Sequence, residues 1–152
     1  MKGTWIGYVD SEVNASNLVS ISPQTQIWMS ANGFSDGGTF DLTEDKLTKM
    51  YNSGYRWVRA SASGNYWTAS SSWKVDFEIM LSRTNGTYPT ITNTILTTGN
   101  MSNGDTFNLS GSTTLDDAGY WHYLRFVVYW NREVGGSAYV TLSSWRVWFT
   151  KS

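Results

Sequence analysis

Alternation of apolar and polar residues dominates this chain, and it is clearest over residues 73–83. There Trp73, Val75, Phe77, Ile79 and Leu81 alternate with Lys74, Asp76, Glu78, Met80 and Ser82. That is the period of a strand with one face against a core. A slip of one residue would expose all five apolar side chains, so the register is well specified. Asn85-Gly86 follows as a turn signal. Residues 120–150 repeat the theme on a larger scale. Two arms rich in aromatic and β-branched residues flank a connection containing Gly135-Gly136, the sequence form of a β-hairpin. In the first arm Leu124, Phe126 and Val128 share one face, and Trp121, Tyr123, Arg125 and Tyr129 share the other. In the second, Val140 and Leu142 are in one phase and Trp145, Val147 and Phe149 in the opposite one. A β-bulge near Ser143-Ser144 would turn both sets toward one core.

The rest of the chain supplies shorter elements. Residues 4–9 read as a first strand, 10–17 as a polar loop, 18–22 as a short strand closed by Pro23, and 26–30 as another around Trp28. Asn32-Gly33 and Asp36-Gly37-Gly38 predict turns and a loop before Phe40. A helix is expected over 43–52, with Thr43 as N-cap, Glu44 and Asp45 in the first turn, and Leu47, Met50 and Tyr51 on one face. Gly54 is its stop. Residues 55–62 resume β structure, with Val58, Ala60 and Ala62 on one face and Tyr55, Trp57 and Arg59 on the other. A turn is expected at 63–65, then Tyr66-Trp67. Residues 87–98, with Ile91 and Ile95, and 106–110, with Phe107 and Leu109 inward, complete the set. Eight to ten strands at this spacing and one short helix predict an all-β protein, an antiparallel jelly-roll-like β-sandwich forming a single domain over 1–152.

Composition narrows the function classes. The net charge is −1, which gives no electrostatic reason to expect nucleic acid as a partner. No apolar run approaches the length of a membrane-spanning helix, so membrane insertion is not expected. Cysteine is absent, which removes disulfides, zinc–thiolate sites and thiol nucleophiles. Ser (20), Thr (18), Asn (11) and Gly (14) are abundant, charged residues make up only 15%, and aromatic residues reach 16%. Hydroxyl-rich loops joining aromatic strands suit extracellular or virion-surface sandwiches. The start at Met1, followed directly by β alternation, gives no sign of a secretory leader.

Candidate chemistry is sparse. His122 is the single histidine, and its aromatic neighbours predict a packed structural role. No nucleophile elbow, phosphate loop or dinucleotide fingerprint occurs. Asp76 and Glu78 share a strand face and are near enough to interact, but the alternating polar positions around them predict a solvated face rather than a glycosidase pair. Asp36, Asp41, Glu44 and Asp45, and separately Asp116 and Asp117, could offer oxygen ligands to Ca²⁺. They lack EF-hand spacing, and turn formation or N-capping accounts for them, so no cofactor is expected.

Two aromatic sets remain as candidate contact surfaces. One is Tyr55, Trp57 and Arg59 with Tyr66 and Trp67; the other is Trp121, Tyr123, Arg125 and Tyr129. Flat rings beside guanidinium groups suit either a sugar or a partner subunit, and intrachain packing is the competing account. The strand entries Tyr55-Arg56-Trp57-Val58-Arg59 and Tyr123-Leu124-Arg125-Phe126, in a cysteine-free Ser/Thr/Asn-rich sandwich, resemble those of jelly-roll carbohydrate-binding modules. They also resemble β-rich appendage proteins of tailed bacteriophages, such as head fibres, decoration proteins and receptor-binding tips. The resemblance implies a non-enzymatic virion surface protein, assembled as a dimer or trimer, meeting other virion proteins and host glycans. The alternatives are a carbohydrate-binding module of a secreted glycan-degrading enzyme and a small β-sandwich hydrolase.

Overall fold

A computed structural model describes residues 10–29, 33–42, 46–69, 74–115, 121–130 and 137–152. The strands are β1 (Glu12–Asn14), β2 (Gln26–Trp28), β3 (Phe34–Asp41), β4 (Trp57–Thr68), β5 (Val75–Ser82), β6 (Thr92–Thr97), β7 (Thr106–Thr114), β8 (Tyr123–Trp130) and β9 (Ala138–Thr150). Helix α1 (Lys46–Asn52) lies between β3 and β4. Sheet I has the order β1-β9-β4-β7, with β2 also on β9; sheet II has the order β3-β8-β5-β6. Every pairing between these strands is antiparallel. The pairs β2·β9, β3·β8, β4·β7 and β5·β6 nest as the two arms of one long ribbon. Successive pairs fall in alternate sheets, a jelly-roll-like winding.

The alternation read from the sequence becomes the two inner faces. Val58, Ala60, Ala62, Tyr66, Val140, Leu142, Val147 and Phe149 of sheet I are buried against Val75, Phe77, Ile79, Leu81, Leu124, Phe126 and Val128 of sheet II. Ring pairs cross the gap: Phe77 stacks on Phe107 at 5.5 Å, and Phe126 meets Trp145 edge-on at 5.6 Å. Each large apolar side chain so enclosed contributes about 1.5–3 kcal/mol. The bulge forms as predicted: Ser63 pairs with Ser144 and Gly64 with Leu142, leaving Ser143 as the extra residue. Helix α1 buries Leu47 and Met50, and Gly54, at φ +97°, ends it.

The hairpin reading of the last third is overturned. Strand β8 pairs with β3 and β5, whereas β9 pairs with β1, β2 and β4 in the other sheet. Each arm carries its own core face, and placing the arms in opposite sheets lets those faces oppose each other across the sandwich. Three predicted loops are also strand. Glu12–Asn14 pairs with β9. Asp36-Gly37-Gly38 is a bulge inside β3, not a turn. Residues 63–65 run straight through β4, because β7 and β9 both supply partners there. Residues 18–22 are not a strand: the backbone N–H groups of Leu18 and Val19 both donate to Ala15 at the end of a 3-10 turn. Ile91 is exposed and precedes β6, and Leu109 is 37% exposed because β7 is an edge strand. The predicted strand at 4–9, the capping residues 43–45, Trp73, and Asp116 and Asp117 lie outside the described residues.

Candidate functional site

The two aromatic sets do not survive as units. Of the first, Tyr55 and Tyr66 are wholly buried. Tyr55 precedes the regular alternation of β4; its hydroxyl donates to the Asp10 carbonyl at 2.6 Å and ties down the N-terminal segment. Tyr66 points inward because it shares the core face of β4 with Val58, Ala60 and Ala62, and burial raises its pKa. Trp57, Arg59 and Trp67 face outward on sheet I. Trp57 and Trp67 are ten residues apart on β4, roughly 33 Å along the strand.

That outer face gains partners which local sequence could not supply. Register places Trp28 of β2, Tyr139 of β9 and Trp67 of β4 side by side. Their ring centroids are 4.6 Å and 5.4 Å apart, and Trp28 and Trp67 are 51% and 41% exposed. At the other end, Arg146 lies 4.2 Å from the Trp148 ring centre and Arg59 5.5 Å from that of Trp57. Arg146 also pairs with Glu12 at 2.7 Å and donates to Asn14, while Arg59 donates to the Thr150 hydroxyl. Between the two clusters the outward residues are Ser61, Ser63, Asn65, Thr141 and Ser144. Strands β2, β4, β7 and β9 contain no Asp, Glu or Lys.

The second aromatic set is split by the segment between β5 and β6. Arg125 is fully buried, donating to the carbonyls of Thr84 and Thr87 at 3.1 Å each, with the Asp36 carboxylate 3.6 Å away. Burial lowers its pKa, and Asp36 and then Tyr129 oppose that shift. An intrachain segment therefore covers this part of the sheet II outer face, not a sugar. Trp121 packs at the core margin. Tyr123 is half-buried beside His122, whose backbone bridges Leu42 and Ser82. Tyr129 of this set lines an open groove.

Tyr129 belongs to a groove of about 570 Å³ on the outside of sheet II. Asp76, Glu78, Thr92 and Thr94 line it as polar residues, Tyr88, Pro89, Tyr129 and Trp130 as a largely apolar wall, and Lys74 and Asn100 complete the lining. The carboxylates are not on the plainly solvated face expected from the alternation. The Tyr88 segment and Tyr129 rise beside them, and β6 threonines bond them: Thr97 donates to Asp76 at 2.7 Å and Thr94 to Glu78 at 2.9 Å. Glu78 is pushed up to about 8, first by burial, then by its hydrogen bond with Asp76 and by the Asp76 charge, with Thr94 opposing. Tyr129 is raised from its usual range, first by burial and then by the charge of Glu78.

This shift has a stability consequence. The native state holds the Glu78 proton up to about pH 8, whereas the unfolded chain releases it near 4.5. Between those values the native state binds more protons, so stability falls as pH rises, by at most about 1.4 kcal/mol per unit before solvent screening reduces it. Glu78→Gln is expected to flatten the melting temperature profile between pH 5 and 8 and to melt higher than wild type at pH 9. An unchanged slope would remove the assignment.

Asp36, a candidate Ca²⁺ ligand, instead accepts from the Gly38 N–H and the Thr39 hydroxyl within the β3 bulge, beside Arg125. Among the described residues no three metal-ligating side chains converge, and no helix is long and apolar enough to cross a membrane. No protein-family model matches the chain, and no curated protein is similar to it in sequence.

Proposed function

We propose that this protein is a non-enzymatic virion surface protein of the head-fibre, decoration or receptor-binding kind, whose copies associate as a dimer or trimer through the outer face of sheet I. One observation carries the assembly. Five aromatic rings and two arginines near Trp rings occupy a face whose main strands have no Asp, Glu or Lys. Subunit interfaces are rich in Trp, Tyr and Arg and poor in Lys, Glu and Asp. A sheet face left in water usually carries charge to discourage association. The virion setting rests on the composition and strand-entry resemblance, and a jelly roll is compatible with it.

Light scattering tests the assembly. Wild type is expected at two or three times the chain mass, and Trp28→Glu combined with Trp148→Glu is expected to run as a folded monomer. A strict monomer at high concentration for wild type would sink the oligomer. The row of Trp28, Tyr139 and Trp67 supports a second reading, the carbohydrate-binding module, since exposed rings cover the C–H faces of sugars. A monomer whose glycan binding is lost in Trp67→Ala would select it. The hydrolase alternative has less support. Asp76 and Glu78 stand two residues apart on one face of β5 and are held by threonines of β6 and the turn after it, whereas glycosidase carboxyls face each other across the scissile bond, about 5–9.5 Å apart.

A further inference from the structure

We propose that the groove on the outer face of sheet II is a binding site for a neutral saccharide, which meets the wall of Tyr88 and Tyr129 with its C–H face and the floor of Asp76, Glu78 and Thr92 with its hydroxyls. It lies on the opposite sheet from the assembly face and stands whether or not copies associate there.

Size and shape come first. A space of about 570 Å³ falls within the range of small-ligand sites and suits one or two sugar rings. The wall is apolar and the floor polar, which matches the two sides of a pyranose. Tyr88 and Tyr129 are held 5.5 Å apart at 51°, and Tyr88 is braced by an edge contact with Phe34. The wall is thus assembled from three elements: β3, β8 and the segment between β5 and β6.

Asn100 and the Thr92 hydroxyl supply donors and acceptors along the lining.

Charge selects a neutral ligand. The lining sets one cation, Lys74, beside the Asp76 carboxylate, and burial next to Asp76 favours the neutral form of Glu78, so the groove offers an ion little net charge. Arg125 lies behind Tyr129 and is matched by Asp36. An anionic sugar would meet the Asp76 carboxylate, which already offsets the charge of Lys74, the one cation among the described residues of the lining. A cation would find one carboxylate, already accepting from Thr97 and Thr98.

The test is an immobilised glycan array of neutral, sialylated and uronic acid-containing oligosaccharides, probed with four folded proteins. Wild type is expected to capture neutral glycans. Tyr129→Ala removes one ring of the wall, and it is expected to weaken capture about tenfold, the worth of one stacked ring. Asp76→Asn is expected to weaken it by a similar factor, and Lys49→Ala on the exposed side of α1 to leave it unchanged. Thermal melts of each variant separate loss of binding from loss of fold. No capture of neutral glycans by wild type, capture of acidic ones alone, or full retention in both Tyr129→Ala and Asp76→Asn would each overturn the site. A monomeric wild type that behaves as expected on the array would keep this site and discard the assembly.

Discussion

Replacing Arg125 with alanine is expected to destabilise the protein by about 3–5 kcal/mol, read as a lower midpoint in urea with an unchanged slope. The guanidinium is wholly enclosed, and its Nη1 atom serves two carbonyls, those of Thr84 and Thr87, across the outer face of sheet II. Truncation would leave both acceptors without that donor, strand the Asp36 carboxylate beside the vacated space, and open a cavity as large as the lost side chain. Lysine is not expected to rescue the loss, because its compact ammonium is more strongly hydrated than a guanidinium and costs more to bury. The effect should reach function as well. The segment that Arg125 holds carries Tyr88 and Pro89, which wall the groove, so capture of neutral glycans should fall even where the variant remains folded. A cost below 1 kcal/mol for Arg125→Ala would mean that the segment is held in place without this side chain.

Arg125 also marks the limit of what the sequence alone reveals. Alternation over residues 73–83 and 120–130 locates the inner faces of β5 and β8 correctly, because a core face is a local property with a period of two. The change of phase between Leu142 and Trp145 likewise identifies the bulge at Ser143. Nothing local distinguishes an arginine facing a partner from one pinned under a segment forty residues earlier in the chain. The same limit explains the hairpin error. Residues 120–150 carry every signal for two strands and a turn, but which edge each strand pairs with is decided by β3, β4 and β5, far upstream. The Trp28–Tyr139–Trp67 row needs the registers of three strands separated by as much as 111 positions. A strand-order hypothesis would have been needed to see it. The groove was half visible. Asp76 and Glu78 were legible as a pair on one face, whereas their burial depends on Tyr88 and Tyr129 rising beside them.

Gly64→Ala tests the register at the bulge, and its expected cost is at least about 3 kcal/mol, enough to make expression largely insoluble. Gly64 lies in β4 opposite Leu142, next to the extra residue Ser143 on β9. A Cβ there would overlap the Thr141 carbonyl oxygen and sit 2.9 Å from the Phe107 ring. Neither neighbour has room to give. Thr141 belongs to a strand paired on one side with β2 and on the other with β4, and Phe107 is stacked on Phe77 in the core. Gly86→Ala provides the comparison. That glycine has φ +66°, and among the described residues nothing lies within 4 Å of the place a Cβ would take, so alanine there costs only the left-handed backbone penalty of about 1–2 kcal/mol. Chemical denaturation of the two variants separates steric overlap from backbone conformation. Equal costs would mean that β4 and β9 are not held together at Thr141, and the pairing that aligns Trp28, Tyr139 and Trp67 would lose its anchor.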